Sequence, residues 1–269
     1  MADQAEPLLY ETDDGVALIT INRPKVMNAF SDEVRSALFE TLSETAANGS
    51  IRCVVITGAG KAFSAGGDIA NMVALQEADD ARTIAARIEI AGKVMALIRS
   101  MPKPVIAAVN GAAAGGGMNL ALGCDIRLGS TDAFFSEAFV KIGLIPDWGG
   151  FHALTRIVGT SKAMELMMSG DRVEADEAHR LGLIDQLFDA SQFHERTMAY
   201  ARRLATGPAQ ALAHIKEGVY LGASGAPADV VAYERSVQSE LFLSSDAREG
   251  MRAFLQKRQP RFGGSDADS

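Results

Sequence analysis

Short runs of consecutive apolar residues alternate with runs of helical spacing along the first half of the chain. Four apolar runs rich in β-branched residues predict strands over residues 16–21, 51–57, 105–109 and 125–128. Helical spacing predicts helices over residues 32–48, 81–100 and 116–122. The run 51–57 has few polar interruptions, as expected of a strand that is covered on both faces. This alternation of strands and helices predicts an α/β fold with right-handed crossovers.

Beyond Gly159 the pattern becomes mainly helical. Six helical segments are predicted, over residues 161–169, 175–181, 192–205, 209–221, 228–243 and 247–257. We therefore predict an α/β core over residues 1–190 and a helical region over residues 191–269. The tail 263–269 is predicted to be disordered.

Composition and charge narrow the class of protein. The chain has 269 residues, of which 48% are hydrophobic and 22% charged, as in a globular protein with a full core. The net charge of −8 argues against a nucleic-acid-binding protein. Cys53 and Cys124 lie in apolar contexts and are predicted to be buried free thiols in a reducing compartment. The sequence has no secretory signal and no membrane-length apolar run, so we expect a cytoplasmic protein without a membrane partner.

Two glycine-dense turns stand where a predicted strand gives way to a helix. The first is Ala-Gly-Gly-Asp at residues 65–68, and the second is Gly-Gly-Gly at residues 115–117. Glycine lets a ligand approach the backbone closely, and a helix N-terminus offers unpaired N–H groups. Two such donors that converge on one point would form an oxyanion hole, which suits an enzyme that stabilises an enolate. One such turn would be an ordinary glycine loop, but two of the same design favour a functional site.

Other kinds of site fit the sequence poorly. Ala62 follows Gly60 and Lys61 where a P-loop requires Ser or Thr, and no G-x-G-x-x-G opens a helix after a strand. The four histidines show no metal-ligand spacing, and no G-x-S-x-G supplies a serine nucleophile. We therefore expect neither a nucleotide site nor a metal site.

Six motifs, in order along the chain, resemble the enoyl-CoA hydratase/isomerase (crotonase) superfamily. They are NRPKVMNA at 22–29, GKAFSAGGDI at 60–69, KPVIAAVNG at 103–111, AGGG at 114–117, GLIP at 143–146 and AFLQKR at 253–258. The resemblance covers nearly the whole chain. It implies an α/β spiral of ββα units, followed by C-terminal helices that mediate assembly into a homotrimer or a dimer of trimers.

The resemblance also implies roles for individual residues. The backbone N–H groups of Gly67 and Gly116 would hold a thioester carbonyl. Contacts with coenzyme A are implied for Lys25 at the phosphates, for Ala65, Asp68 and Ile69 at the adenine, and for Phe254 and Lys257 from a neighbouring subunit. Phe139 and Trp148 are candidates to line the acyl pocket, although such aromatic residues are more often core. Coenzyme A enters as part of the substrate, and no metal, flavin or nicotinamide is needed.

Two positions depart from the hydratase pattern. Hydratases of this superfamily carry one glutamate just after the triple glycine and a second one seven residues before the proline of the GLIP motif. Here these places hold Asn119 and Phe139. Hydration needs a group that activates water and usually another that handles the second proton. Neither residue can act as a base, so the sequence argues against two-glutamate hydration.

Asp147 is the remaining candidate acid. It directly follows the GLIP motif, where some isomerases of the superfamily carry their single acid, and the run 138–147 resembles the ring-epoxide isomerases of phenylacetate breakdown. The alternative for Asp147 is an N-cap of the next helix, a common role for Asp. Glu137 is a second candidate base, but we favour a solvated or strand-edge carboxylate there.

Together these features predict an acyl-CoA enzyme that isomerises a 3-enoyl-CoA to a 2-enoyl-CoA through an enolate. Asp147 would move the proton, and Gly67 and Gly116 would stabilise the enolate oxygen. The alternatives are a ring-1,2-epoxyphenylacetyl-CoA isomerase, a divergent enoyl-CoA hydratase, and a family member that binds acyl-CoA without turnover.

Overall fold

The computed structural model describes residues 6–263. Its strands are β1 (Leu8–Asp13), β2 (Val16–Ile21), β3 (Cys53–Gly58), β4 (Ala62–Ser64), β5 (Val105–Val109), β6 (Ala112–Ala114), β7 (Ile126–Ser130), β8 (Phe134–Ser136), β9 (Val173–Glu174) and β10 (Gln186–Phe188). Its α-helices are α1 (Asp32–Ala47), α2 (Ile69–Glu77), α3 (Ala81–Ser100), α4 (Gly116–Gly123), α5 (Gly150–Ser169), α6 (Ala175–Arg180), α7 (Phe193–Ala205), α8 (Ala209–Gly222), α9 (Pro227–Leu241) and α10 (Ser245–Leu255). Two short 3₁₀ helices span Pro24–Val26 and Ala138–Ile142. The tail predicted to be disordered lies outside the described residues, except for Gly263.

The strands form two sheets. The larger sheet has the order β1-β2-β3-β5-β7-β10, in which β1 is antiparallel to β2 and the other neighbours are parallel. The smaller sheet has the order β4-β6-β8-β9, in which only β9 is antiparallel to its neighbour. The four strands predicted from the sequence are thus the adjacent strands β2, β3, β5 and β7 of the larger sheet.

The chain repeats one pattern as it passes between the sheets. In the pairs β3–β4, β5–β6 and β7–β8, the first strand joins the larger sheet and the second joins the smaller one. Helices follow each pair: α2 and α3 after the first, α4 after the second and α5 after the third. The predicted α/β spiral of ββα units is therefore confirmed. Because β4, β6 and β8 are parallel, the segments that follow them start from the same end of the smaller sheet. This brings the two glycine turns together.

Side chains of the central strands are buried on both faces of the larger sheet. Val54 and Ile56 of β3 point into the main core with α1 and α3, whereas Cys53 and Val55 pack against α7 on the other face. This arrangement explains the almost unbroken apolar run of β3. Cys53 and Cys124 are buried and free, as predicted.

The helical region differs from its prediction at one end. Helix α5 begins at Gly150, well before residue 161, and is interrupted at Gly159, whose φ of 76° and ψ of 165° are not helical. Helix α7 packs its apolar face on the larger sheet. Helix α8 is held to the core by Lys216, whose Nζ lies 2.7 Å from Oδ2 of Asp125. The division of the chain at residue 190 stays a prediction.

No helix in the described range 6–263 is long and apolar enough to cross a membrane.

Candidate active site

The first glycine turn follows the short strand β4 and leads into α2. Gly66 has a φ of +82°, and a Cβ on it would lie 2.7 Å from the carbonyl oxygen of Ala114 and 3.0 Å from the backbone N of Gly116. Only glycine fits a left-handed backbone this close to another chain segment. The carbonyl of Gly66 also accepts a 2.7 Å hydrogen bond from the N–H of Phe30. The first turn is therefore fixed directly against the second.

The second glycine turn joins β6 to α4. The N–H of Gly115 donates to the carbonyl of Ser136 over 2.8 Å, which ties the turn to β8. Gly116 is the first residue of α4, so its N–H has no acceptor in the preceding turn of that helix. A Cβ on Gly117 would lie only 2.3 Å from the carbonyl oxygen of Ser64, at the end of β4. The two turns therefore meet as the sequence suggested, and the oxyanion-hole role of Gly67 and Gly116 stays a prediction.

An aromatic pair covers the second turn. A Cβ on Gly116 would lie 2.9 Å from Cδ1 of Trp148 and 3.4 Å from Cε2 of Phe30. The two rings contact each other with centroids 4.6 Å apart. Trp148 is buried and has an unusual φ of 50° for a residue other than glycine. Because Trp148 packs on Gly116, it places its neighbour Asp147 beside the second turn.

Asp147 is held by its backbone, and one oxygen of its carboxyl group is buried without a partner. Its carbonyl accepts hydrogen bonds from Nδ2 of Asn119, at 2.9 Å, and from the N–H of Gly150, at 3.0 Å. Helix α5 has Gly149 as its N-cap residue, without a side-chain cap, so the capping role considered for Asp147 is wrong. The Oδ1 atom of Asp147 is buried, with no hydrogen-bond partner in the described structure. This unpartnered oxygen belongs to the residue next to Trp148, which packs on the second turn.

Two environmental effects set the proton affinity of this carboxyl group. Burial raises the pKa of Asp147 to about 6, and the guanidinium group of Arg35 opposes that rise. Arg35 is buried on α1 and donates a 2.9 Å hydrogen bond from Nη1 to the carbonyl of Phe30. Asp147 is therefore mostly ionised near neutral pH, yet it is a stronger base than an exposed aspartate. The sequence does not single out Arg35, because nothing in the helical pattern of α1 distinguishes it from a surface arginine.

Glu137 contradicts its sequence-based interpretation. It is only 1% exposed, so it is neither a solvated nor a strand-edge carboxylate. Burial raises its pKa to about 8, the nearby carboxyl group of Asp147 adds to the rise, and the Asn119 amide offsets part of it. No hydrogen bond of normal geometry reaches either oxygen of Glu137 in the described structure. The burial of Glu137 could not be predicted from the sequence, because it depends on how β8 and the following 3₁₀ helix pack in the folded chain.

Asn119 and Phe139, at the two positions where hydratases carry glutamates, hydrogen-bond and pack against the loops of the site. Asn119 is fully buried, and its side chain supports the loop of Asp147. The Asn119 side chain also packs tightly against Gly150, because a Cβ on Gly150 would lie only 2.3 Å from Nδ2 of Asn119. The ring of half-buried Phe139 would contact a Cβ on Gly115 at 3.7 Å. Phe139 thus lies at the second turn, where it offers apolar surface and no base.

The residues predicted to meet coenzyme A fall into two groups. The exposed Lys25 lies in the segment that is joined to the first turn by the Arg23–Asp68 ion pair, at 3.1 Å, and by the 2.9 Å hydrogen bond from the N–H of Ala65 to the carbonyl of Met27. Ile69 opens α2 and is half exposed. The second group, Phe254 and Lys257, is exposed at the end of α10, and no hydrogen bond or ion pair among the described residues joins it to the turns. The contacts of both groups with coenzyme A stay predictions.

An apolar cavity of about 420 Å³ opens next to the first turn. It lies between α2, the start of α3 and the segment after the second 3₁₀ helix, with Ile69, Met72, Ile84 and Leu144 among its lining residues. Met72 also contacts the turn, since its sulfur would lie 2.8 Å from a Cβ on Gly67. Met72 therefore links this cavity to the first turn.

Known proteins that resemble this chain in sequence and in fold belong to one family. A sequence model of the family described as enoyl-CoA hydratase/isomerase matches residues 11–265. The chain is 41% identical over 255 residues to a probable enoyl-CoA hydratase of Rhodobacter capsulatus, with 95% of this chain and 97% of the relative covered. It is 38% identical over 260 residues to the 1,2-epoxyphenylacetyl-CoA isomerase of Escherichia coli, with 96% and 99% covered. The crystal structure of an enoyl-CoA hydratase from Polaromonas superposes with a TM-score of 0.91 at 35% identity, with 95% and 99% covered. The chain is thus an acyl-CoA enzyme of the enoyl-CoA hydratase/isomerase family, the crotonase superfamily that its motifs indicated.

Proposed function

We propose that this enzyme moves a carbon–carbon double bond, converting a 3-enoyl-CoA into a 2-enoyl-CoA. One observation carries the proposal. The carboxyl group of Asp147, with one oxygen buried and unpartnered, follows the GLIP motif next to Trp148 on the second glycine turn, whereas the two glutamate positions of hydratases hold Asn119 and Phe139. A single carboxylate is sufficient to take a proton from one carbon and return it to another, whereas neither hydratase glutamate position carries an acid here.

The proposed reaction uses the two turns and Asp147 in sequence. The N–H groups of Gly67 and Gly116 bind the thioester oxygen and stabilise the negative charge that develops on it. The carboxylate of Asp147 removes the proton from the α-carbon, and a dienolate forms. The protonated Asp147 then delivers that proton to the γ-carbon, which restores the carboxylate and leaves the double bond between the α- and β-carbons. The pKa of about 6 suits this cycle, because the group is ionised at neutral pH and still accepts a proton readily.

A second candidate function is the isomerisation of a ring-1,2-epoxyphenylacetyl-CoA. It is favoured by the 38% identity with the Escherichia coli enzyme of that name. A divergent hydratase is suggested by the name of the Rhodobacter capsulatus relative. We prefer the double-bond isomerase because Asp147 alone accounts for its proton transfers.

Activity measurements distinguish these functions. We expect the purified protein to convert a straight-chain 3-enoyl-CoA into the 2-enoyl-CoA, followed by the absorbance of the conjugated thioester. Addition of water to a 2-enoyl-CoA, measured as 3-hydroxyacyl-CoA, is expected to be at least about 10²-fold slower, because Asn119 and Phe139 replace both hydratase glutamates. Hydration that outpaces isomerisation would contradict the proposal, and selective turnover of the ring epoxide would favour the second candidate. Binding without turnover of any of the three would identify a non-catalytic member of the family.

We also propose that the protein assembles as a trimer or a dimer of trimers through its C-terminal helices. Large apolar side chains on α8, α9 and α10 are more than half exposed in the single chain, among them Ile215, Val219, Val231, Phe254 and Leu255. Closed symmetric assembly is the common way to cover such a surface. Light scattering at micromolar concentration is expected to give three or six times the mass of one chain. A stable monomer would contradict this assembly and the predicted contact of Phe254 and Lys257 with a neighbour's coenzyme A.

A further inference from the structure

Four buried oxygen atoms near the second glycine turn share one property: each lacks a hydrogen-bond partner in the described structure. They are Oδ1 of Asn119, Oε1 and Oε2 of Glu137, and Oδ1 of Asp147. The side-chain N–H₂ of Asn119 is already directed to the carbonyl of Asp147, at 2.9 Å. We call Asn119, Glu137 and Asp147 the acceptor cluster. If both carboxyl groups were charged, these four atoms would all be acceptors, and the Asn119 amide, which already donates to the Asp147 carbonyl, has only one further N–H to offer them.

The surroundings of Glu137 separate its carboxyl group from bulk solvent. Glu137 directly follows Ser136, whose carbonyl accepts the hydrogen bond from Gly115, and it is only 1% exposed. Three charged groups face this region. Asp147 raises the pKa of Glu137, and Arg35 of α1 acts on Asp147. Lys141, in the 3₁₀ helix after β8, lies near Gly170, and so does the backbone carbonyl of Glu137. Among the described residues, Lys141 forms no ion pair with the Glu137 carboxyl group.

We propose that Glu137 stays uncharged in the working enzyme and holds the one proton of the acceptor cluster, so that Asp147 is the carboxyl group that ionises and acts as the base. Glu137 is then a positioning residue that acts through Asp147, and its O–H supplies a second donor beside the Asn119 amide. A single retained proton also avoids two adjacent buried negative charges. This role rests on the proposed isomerase function of Asp147.

The proton affinities of the two groups support this assignment. Burial separates them, with a pKa of about 8 for Glu137 and about 6 for Asp147. When two neighbouring acids differ in this way, the one with the lower pKa is ionised and the other keeps its proton at neutral pH. Because the groups interact, the pair releases its protons in two shared steps. Turnover should therefore rise with pH at the first step, in which Asp147 ionises. It should fall at the second step, in which Glu137 ionises and places a negative charge beside Asp147.

The pH profile of turnover tests the proposal with Glu137→Gln, since Gln stays uncharged at every pH and its N–H₂ can donate within the cluster. We expect turnover at pH 7 to remain within about threefold of the unmodified enzyme, whereas a residue that itself transfers the proton would cost on the order of 10²–10⁴. The rise at acidic pH should be retained, and the fall above pH 8 should disappear. Glu40→Gln on the exposed face of α1 is the matched control, and it should leave both limbs unchanged.

Infrared difference spectroscopy provides a readout that requires no turnover. At pH 7 the unmodified protein should show the carbonyl band of a protonated carboxylic acid, which Asp147→Asn retains and Glu137→Gln removes. A missing band, or an unchanged alkaline limb in Glu137→Gln, would overturn the proposal. A folded Glu137→Gln that loses turnover at every pH would also overturn it, because Glu137 would then carry the substrate's proton. If no variant isomerised an enoyl-CoA, the proposed function would fail, while the infrared band would still decide the protonation of Glu137.

Discussion

Asp147→Asn is expected to lower the rate of isomerisation by about 10²-fold or more, while acyl-CoA binding and folding are retained. The loss follows because Asn cannot accept the α-proton, and a positioned acid–base group contributes on the order of 10²–10⁴ in rate. Folding should be retained because the two hydrogen bonds that hold this residue reach its backbone carbonyl, from Asn119 and Gly150, and not its carboxyl group. Steady-state kinetics with a 3-enoyl-CoA measure the first effect, and calorimetric titration with a non-reactive acyl-CoA measures the second.

A matched exchange of aspartate for asparagine separates this effect from a general loss of charge. Asp132→Asn makes the same chemical change at an exposed position in the turn between β7 and β8. We expect wild-type turnover from it. Exchange of the α-proton with solvent deuterium should also stop in Asp147→Asn if that carboxylate is the base. Near-wild-type turnover of Asp147→Asn would mean that the single-acid mechanism is wrong.

Local chemistry explains why the glycine turns could be predicted from sequence. At Gly66 and Gly115 the backbone has a positive φ, and at Gly117 a side chain would collide with the carbonyl of Ser64. Such requirements can be met only by glycine, so they leave a direct mark on the sequence. The contact between the turns could not be read in the same way, because it depends on how β4, β6 and β8 pair in the smaller sheet.

The strands of the two sheets differed in how clearly the sequence predicted them. β2, β3, β5 and β7 have apolar runs because they are covered on both faces, so their pattern is strong. The strands β4, β6 and β8 have three residues each, which is too short for a periodic pattern. β1 was missed for another reason: five of its six residues are exposed, so it lacks an apolar run.

The electrostatic part of the site could not be predicted from the sequence. Arg35 lies 112 positions before Asp147 in the chain, and the fold alone brings its charge to that carboxyl group. Glu137 lies in the run FFSEAFV at 134–140, and only the packing around β8 decides that its carboxyl group is buried. Proton affinities depend on burial and on nearby charges, and both are properties of the folded chain. Sequence therefore indicated which groups are present, and the structure indicates which of them ionises.

Gly116→Ala is expected to lower turnover by about 10²-fold, although the substitution keeps the backbone N–H. The added methyl group would lie 2.9 Å from Cδ1 and 3.0 Å from Nε1 of Trp148, so the indole ring must move. Trp148 packs on Phe30 with ring centroids 4.6 Å apart and is covalently joined to Asp147. A shift of the indole therefore displaces the base and the oxyanion donor from each other, and a misplacement of about 1 Å can cost about 10² in rate.

Gly92→Ala is the matched control for this change. It lies in α3, where a Cβ would meet nothing within 4 Å, and Ala is the better helix former. We expect wild-type turnover and equal or higher thermal stability from it. For Gly116→Ala, a crystal structure with a bound acyl-CoA should show the thioester oxygen displaced from the distance of about 2.7–3.1 Å to the backbone N atoms of Gly67 and Gly116 that an oxyanion hole requires. Full activity of Gly116→Ala, with Trp148 moved aside, would show that the catalytic geometry does not depend on the packing of this ring. The assignment of the second turn to the oxyanion hole would then lose its structural basis.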